Sequence, residues 1–329
     1  MHVSGIYRQL MAAGVTCRVL DMSRIRPGLG FGWAVLRHAF EGWTLHFHTN
    51  GHNVKSWLLA LGCGLAGQFR GGSILTLHSG MVPGYLEIAP SWRRRLAALT
   101  CSLYGRVICV SPEIRSALLS LGLESQRTEV LPAFTGTEES GGAPESGLLA
   151  WIGRHQPLFS TVLFFRPEYG FDLLVSGLAR IRGRYPSFGC LVMGSGEQRA
   201  EAEKLVRDAG LEESILLLGD VDHEACLALM SVCDVFLRAT TEDGDSISVR
   251  EALSLGVPVV ASRVGMRPSG AMLFHPGDVD EMLAKIELAL SSGRGEQRST
   301  GGLAAGTCMD RLMEIYRQVD GSEGSLCLN

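Results

Sequence analysis

The residues whose types and spacing are best suited to chemistry lie in one segment, ATTEDGDSISVREALSLGVPVVAS, at 239–262. A short apolar run, DVFL, leads into an acidic turn that contains Gly244, and a helix is predicted to begin near Ser246. The first backbone N–H groups of such a helix, those of Ile247 and Ser248 included, have no partner within the helix and point out of its N-terminus. This pattern favours binding of an anion such as a phosphate group.

Two carboxylates flank this predicted helix N-terminus. Glu251 follows Asp243 by eight residues, a little more than two helical turns, so that both side chains can border one ligand. A simpler interpretation is that Asp243 and Asp245 only cap the helix. The segment alone leaves both interpretations open.

Short strand patterns alternate with helical patterns along the whole chain and must position these residues. Apolar strands without strict alternation, separated by helices such as 171–185 and 197–210, indicate parallel sheets covered on both faces. The predicted fold is therefore α/β and doubly wound. The strand patterns lie at 15–20, 44–48, 73–78, 106–110, 160–165, 189–193, 215–219, 234–237 and 257–262.

A polar, Gly-rich segment, TGTEESGGAPESG at 135–147, separates the two sets of strands and is typical of an exposed linker. The predicted organisation is a Rossmann-like domain at 1–147, a second at 148–302, and a C-terminal helix and tail at 303–329. Open α/β sheets bind ligands at the carboxyl ends of their strands. We therefore expect the site at strand-end loops, in a cleft between the two domains.

The composition excludes several protein classes. The nine cysteines are scattered and never spaced as C-x-x-C, which argues against a disulfide framework or a zinc ribbon and favours a reducing cytoplasm. The longest apolar stretch, at 57–67, is too short to cross a bilayer, and the first residues lack the pattern of a secretory signal.

The charge differs between the two predicted domains. Residues 1–147 contain 13 Lys and Arg against nine Asp and Glu, a net charge of +4, whereas residues 148–329 have a net charge of −8. A basic first half can attract anionic lipid headgroups or phosphates. The chain has three lysines and no basic stripe with interleaved aromatic residues, so we expect no nucleic acid partner.

The segment at 239–262 resembles the donor-binding signature of glycosyltransferase family 4, retaining enzymes of the GT-B architecture. The resemblance implies that Asp243 lies by the donor sugar, and that the turn at Gly244 with Ser246, Ile247 and Ser248 offers backbone amides to the diphosphate. It also implies that Glu251 holds the ribose hydroxyls. Glu242 would take the role of Asp243 if the register were shifted by one residue.

Two further segments resemble the donor site of the same family. MGSGEQ at 193–198 is similar to its glycine turn, with Gly194 and Gly196 allowing close approach of the nucleotide. FRPEYG at 165–170 is similar to its basic loop, in which Arg166 offers a bidentate fork to the diphosphate. Tyr169 stands where the family usually has a lysine, and Arg154 and Arg250 are the alternative second cations.

Histidines are the main candidates in the first half. His78, in LTLHSG, resembles the family's histidine at the reaction centre; alternatively, it only caps a strand. The segment HFHTNGH at 46–52 invites interpretation as a zinc site but shows no fourth ligand, and an acceptor-facing loop is the preferred interpretation. GLGFGW at 28–33 imitates a dinucleotide fingerprint but has Trp33 in place of the third glycine. SWRRR at 91–95 is expected to open a helix that touches an anionic membrane or a lipid diphosphate.

The resemblance implies a metal-independent retaining transferase, without a cofactor, that moves a sugar from a nucleotide-diphosphate donor to a glycan or lipid-linked acceptor. The expected location is the cytoplasm, at the inner face of the membrane. Two alternatives stay open: a catalytically inactive relative that binds a nucleotide sugar, and a GT-B nucleotide-sugar epimerase. Family members usually begin with a strand and a Gly-Gly loop that this chain lacks, so we expect a gap at the centre of the first sheet, and hence a truncated or internal start.

Overall fold

The chain divides into two compact units. The first comprises Met1–Gly136, Asp243–Asp245 and Leu303–Asn329, and the second comprises Thr137–Glu242 and Ser246–Gly302. The computed structural model describes residues 2–20, 29–69, 72–132, 146–292, 305–320 and 326–328. Most of the predicted linker at 135–147 lies outside these ranges. None of the helices within them is long and apolar enough to span a membrane.

The described strands are β1 (Cys17–Val19), β2 (Thr44–Thr49), β3 (Ser73–Leu77), β4 (Arg106–Cys109), β5 (Thr128–Val130), β6 (Leu158–Val162), β7 (Gly189–Met193), β8 (Ile215–Gly219), β9 (Val235–Arg238), β10 (Val259–Ser262), β11 (Ala271–Phe274) and β12 (Leu326–Leu328). They form two parallel sheets of six strands each, with the orders β1-β12-β2-β3-β4-β5 and β11-β10-β9-β6-β7-β8. The predicted α/β, doubly wound architecture is confirmed. The strands β5, β11 and β12 were not among the predicted strand patterns.

Helices connect the strands and cover the sheets. Two short 3₁₀ turns lie at Ser125–Arg127 and Pro167–Tyr169. The helices are α1 (His2–Ala12), α2 (Leu29–Phe40), α3 (Val54–Ala66), α4 (Val82–Glu87), α5 (Ser91–Ser102), α6 (Pro112–Ser120), α7 (Ser146–Ile152), α8 (Phe171–Ile181), α9 (Arg199–Asp208), α10 (His223–Val232), α11 (Ile247–Ser254), α12 (Val279–Ser292) and α13 (Ala305–Asp320).

The central strands of the second sheet are apolar on both sides because helices pack on both sides. All residues of β7, β9 and β10 are buried. One core joins this sheet to α8, α9 and α12, and a second joins it to α10 and α11. This two-sided burial explains why the strands form continuous apolar runs in the sequence rather than alternating patterns.

The first sheet also has helices on both faces. One core contains Phe31 and Val35 of α2, Trp57 of α3 and Ala97 of α5, packed on the sheet. The opposite core contains residues of α1 and α13, among them Tyr316, which is buried. The C-terminal helix, expected to be a separate part at 303–329, therefore contributes to the core of the first unit. GLGFGW lies largely in α2 and does not form a nucleotide-binding turn.

The centre of the first sheet is occupied, contrary to the expected gap. β12 pairs in parallel with β1 on one side, as Cys17 with Leu326, and with β2 on the other, as Thr44 with Leu326. The prediction of two unpaired strand edges is therefore wrong for this sheet, because backbone from the C-terminal end of the chain satisfies both.

We expect truncation after Asp320 to destabilise the first unit. Removal of β12 unpairs one side of β1 and one side of β2, and each buried backbone group left without a partner costs roughly 1–3 kcal/mol. Urea unfolding followed by tryptophan fluorescence measures this, since Trp33, Trp43, Trp57 and Trp92 belong to the first unit. The control removes Asn329 alone. An unchanged unfolding midpoint after the longer truncation would refute the role of β12.

Candidate functional site

The order of the second sheet gives the position where ligands usually bind. The chain passes from β6 outward through β7 to β8, then returns to the other side of β6 with β9, β10 and β11. The direction of winding therefore reverses between β6 and β9. In open α/β sheets, the crevice at the carboxyl ends of the two strands at this switch point is the usual ligand site. Arg166 follows β6, and the segment with Gly244 follows β9.

The strand-end loops of the second unit are joined by backbone hydrogen bonds. The N–H of Thr241, after β9, donates to the carbonyl of Glu168, after β6, at 2.9 Å. The N–H of Phe165, after β6, donates to the carbonyl of Ser195, after β7, also at 2.9 Å. Loops after three neighbouring strands thus form one continuous edge.

The predicted glycine turn lies within this edge. Gly194 has a φ of 131°, and a Cβ there would lie 1.9 Å from the carbonyl oxygen of Leu163, so no side chain fits. The N–H of Gly194 donates to the carbonyl of Gly219 at 2.7 Å, and the Ser195 hydroxyl donates to Asp220 at 2.7 Å. Gly196 completes the turn against Phe165. The turn therefore connects the loops after β6 and β8.

The helix N-terminus expected near Ser246 is present. Ser246 is the N-cap of α11 and its hydroxyl accepts from the N–H of Val249 at 3.5 Å. Ile247 is the first helical residue, and the Ser246 and Ser248 hydroxyl oxygens lie 3.1 Å apart. The N-cap residue of this helix is therefore Ser246 rather than Asp243 or Asp245.

Glu251 lies in the second turn of α11 and is buried, with a side chain 9% exposed. Its Oε1 accepts a hydrogen bond from Nε2 of His223, the first residue of α10, at 2.7 Å. Burial raises the pKa of the nearby Cys226 thiol to about 12, and the negative charge of Glu251 contributes to that rise. Cys226 is therefore an uncharged thiol, and the contact that orients Glu251 is His223.

The basic loop after β6 differs from the expectation in one respect. Arg166 is exposed, and in the described part of the chain no carboxylate pairs with it. Tyr169 occupies the position expected for a lysine, and the Arg238 guanidinium lies 5.0 Å from its ring centroid. Arg238 is the last residue of β9, is buried, and donates to the carbonyl of Val162 at 2.7 Å.

Arg238 was missed by sequence reasoning. Its one signal in the sequence is an arginine at the end of an apolar strand pattern, DVFLR, and this by itself indicates no more than the end of a strand. Arg154 precedes the amino end of β6 and so lies at the opposite edge of the sheet from Arg166. Arg250 lies in α11, half-buried. Arg238 lies against the loop that carries Arg166, through its contact with the Tyr169 ring.

The first unit also has candidate functional residues in the loops that follow its strands. His78 follows β3 directly, and its N–H donates to the carbonyl of Thr49 at the end of β2 at 3.0 Å. The short segment Asp243–Asp245 belongs to this unit. A Cβ on Gly244 would lie 2.2 Å from the carbonyl oxygen of His78, so only glycine allows this approach. The backbones of His78 and Gly244 are thus in contact, and the Asp243 carboxylate accepts from the N–H of Gly244 at 3.1 Å.

The histidine-rich segment is a strand in its first part, since His46 and His48 belong to β2, whereas His52 lies in the loop between β2 and α3. His46 is buried, with Nδ1 2.7 Å from the Tyr316 hydroxyl and Nε2 2.7 Å from the Thr76 hydroxyl. Burial raises the pKa of Tyr316 well above its usual value, so it stays a neutral phenol. Both ring nitrogens of His46 are engaged in the core.

His48 is the contact that orients His78. Its Nδ1 lies 3.0 Å from Nε2 of His78, and the two rings stack with centroids 5.2 Å apart. Among the described residues, no group of three or more His, Cys, Asp or Glu side chains is arranged to hold a metal ion. His78 is thus held at its strand end by a second histidine.

Two family models match the chain. Residues 5–139 match the model described as Glycosyltransferase Family 4, and residues 156–292 match the model described as Glycosyl transferases group 1. The two matches follow each other and together span most of the sequence.

Curated relatives match over part of their length. One of them, from the phosphatidylinositol N-acetylglucosaminyltransferase of Arabidopsis thaliana, is 22% identical over 226 residues, covering 66% of this chain and 48% of the relative. A 2-deoxystreptamine glucosyltransferase of Streptomyces kanamyceticus is 27% identical over 194 residues, covering 56% of this chain and 46% of the relative. The match spans about half the length of these curated relatives.

Solved structures share the fold. The structure of Anabaena HepE in complex with UDP has a TM-score of 0.65 at 19% identity, covering 90% of this chain and 80% of that one. A glycosyltransferase from Rickettsia africae has a TM-score of 0.69 at 14% identity, covering 97% and 94%. At these identities the likeness concerns the architecture, which is GT-B.

Proposed function

The chain belongs to the glycosyltransferases of family 4 and group 1, with a GT-B fold, and on that premise we propose that it is a retaining, metal-independent hexosyltransferase. It moves a sugar from a nucleotide-diphosphate donor to a hydroxyl acceptor in cell-surface glycan or glycolipid assembly. The observation that carries this proposal is the edge of the second sheet, where Arg166, the N-terminus of α11 and Glu251 all follow strands at or beside the switch point.

In this proposal the second unit binds the donor. Glu251 accepts hydrogen bonds from the ribose hydroxyls, while the N–H groups of Ile247 and Ser248 and the guanidinium of Arg166 neutralise the diphosphate. These groups stabilise negative charge that develops as the diphosphate leaves, and they do so most strongly when already in position. Gly194 and Gly196 supply backbone without side chains beside the nucleotide.

Asp243 and His78 act as positioning groups for the sugar in this proposal. A retaining transfer without a protein nucleophile proceeds by front-side displacement, in which the leaving phosphate helps to deprotonate the acceptor hydroxyl. The contact between the backbones of His78 and Gly244 supports a shared role. The hydrogen bond between the rings of His48 and His78 supports an oriented rather than a mobile His78.

In the sequence, Tyr169 in place of the family's lysine favours the alternative that the chain is a catalytically inactive relative. Arg238 weakens that argument, because its guanidinium lies over the Tyr169 ring and gives the same loop a second cation.

The proposed compartment is the cytoplasm, as the scattered cysteines suggest. Contact with an anionic membrane surface is part of the same proposal.

Product analysis separates the three functions. UDP-glucose and UDP-N-acetylglucosamine are the first donors to use, since HepE has been solved with UDP-glucose and a relative comes from an N-acetylglucosaminyltransferase. A transferase releases free nucleoside diphosphate only when an acceptor, such as phosphatidylinositol or a lipid extract, is added. An epimerase changes the sugar without an acceptor, and an inactive relative binds the donor without turnover. Either of the last two outcomes would contradict the proposal.

A further inference from the structure

Helices α2, α3 and α5 cover one face of the first sheet, with α3 packed between the other two. Their inner sides are buried in the core of that unit, through Val35, Trp57 and Ala97. Their outer sides form what we call the α2–α3–α5 face, defined by the exposed residues of these helices and Phe69, which follows α3.

Large apolar side chains line this outer side. On α3, Leu58 and Leu65 are 53% and 52% exposed, and on α5, Trp92 and Leu99 are 53% and 55% exposed. Each pair is seven residues apart, so each lies on one stripe of its helix, opposite the buried stripe. Trp33 and Phe40, 72% and 56% exposed, repeat this spacing on α2.

These helices are therefore apolar on both sides, which core packing alone does not require. The Phe40 ring contacts that of Phe69, itself 55% exposed, with centroids 4.7 Å apart, so neighbouring helices share one patch. In the described part of the second unit, exposed large apolar residues are single and lie on separate elements. Several half-exposed large side chains in one helix layer are typical of an interaction surface rather than of an ordinary monomer surface.

The charge of the face identifies the partner. The sequences of α2, α3 and α5 contain no Asp or Glu, whereas they contain Arg37, Lys55, Arg93, Arg94 and Arg95. Arg37 pairs with Glu41 at 2.8 Å, just after α2. Arg94 lines a pocket together with Glu87 of α4 and Glu113 of α6, so its charge is offset there. The basic charge beside Trp92 is therefore that of Arg93, whose guanidinium lies 5.1 Å from the Trp92 ring centroid, and of the exposed Arg95.

We propose that the α2–α3–α5 face docks on an anionic lipid bilayer surface. Exposed Trp, Phe and Leu bury into the headgroup boundary, arginines bind the lipid phosphates, and tryptophan is the residue that membrane interfaces favour. Helices of 12 and 13 residues are too short to cross a bilayer, so they lie along its surface. This inference rests on the membrane contact included in the proposed function and names the surface that makes it; vesicle binding is measured separately from transferase activity, so the two can fail separately.

Vesicle flotation of the full chain tests the proposal. The probes are vesicles of phosphatidylcholine alone and of phosphatidylcholine mixed with phosphatidylglycerol. We expect binding to the mixed vesicles and little to the neutral ones. The double variant Lys55→Gln/Arg95→Gln, at two exposed positions of the face, should bind the mixed vesicles about thirtyfold more weakly, because each basic residue at an anionic surface contributes about fivefold.

A second variant tests the apolar part, and a matched control tests specificity. Trp92→Ser/Leu99→Ser changes two exposed residues and should also weaken vesicle binding, whereas Leu288→Ser/Arg207→Gln, on exposed positions of the second unit, should not. Circular dichroism confirms that each variant is folded. Equal binding to both kinds of vesicle, no binding, or equal loss in the control overturns the proposal. So does a dimer in light scattering that the Trp92→Ser/Leu99→Ser variant dissolves without any change in vesicle binding.

Discussion

Replacing Arg166 by alanine is expected to lower turnover of the sugar donor by roughly a hundredfold or more. Removing one preorganised charged donor from the site where negative charge develops commonly costs that much, and in the described part of the chain no carboxylate competes for Arg166. Donor consumption under single-turnover conditions measures the effect. Arg166→Lys should recover part of the rate, because lysine restores the charge without the planar fork.

Arg154→Ala is the matched control for this prediction. Arg154 is also an exposed arginine, but it precedes β6 while Arg166 follows it, so the two lie toward opposite ends of the same strand. We expect the control to keep turnover near that of the unmodified chain. Equal effects of the two substitutions would mean that the loop after β6 does not contact the diphosphate.

Glu251→Gln is expected to weaken binding of the nucleoside diphosphate by roughly 1–3 kcal/mol, about five- to a hundredfold in the dissociation constant. A carboxylate accepts hydrogen bonds from both ribose hydroxyls, whereas the amide that replaces it presents a donor to one of them. Calorimetric titration measures the affinity, and circular dichroism checks the fold. An unchanged affinity would contradict the assignment of Glu251 to the ribose.

His223 offers a second test of the same assignment. Since its Nε2 contacts Glu251 at 2.7 Å, His223→Ala should also weaken nucleotide binding, while His223→Gln, which keeps an N–H donor at a similar reach, should retain most of it. Inorganic pyrophosphate, which has no ribose, is the control ligand. A loss of pyrophosphate affinity as large as the loss of nucleotide affinity would indicate a general disturbance of the site.

Much of the second unit could be predicted from the sequence because its signals are local. The helix that begins after Ser246, the turn at Gly194 and the loop that carries Arg166 each lie directly after an apolar strand, where a short stretch of sequence determines the geometry. Parallel strands place all of their carboxyl ends at one edge, so the order of motifs along the chain was enough to bring these loops to that edge.

The features that were missed depend on contacts between residues far apart in the sequence. Tyr316 bonds His46 across the first unit, and β12 pairs with β2 from the other end of the chain. Neither has a local signal, since three residues are too few to show a strand pattern. Arg238 was missed because a charge next to an apolar run looks like the end of a strand, and only the fold places it over the Tyr169 ring.

The central claim is that the edge of the second sheet holds a nucleotide-sugar donor. Titration of the intact chain with UDP, GDP, ADP and their sugar conjugates tests this claim most directly. We predict one saturable site per chain for at least one nucleotide, weakened by both Arg166→Ala and Glu251→Gln and unaffected by Arg154→Ala. Folded protein that binds none of these ligands, or that binds one with the same affinity in all three variants, would contradict the claim.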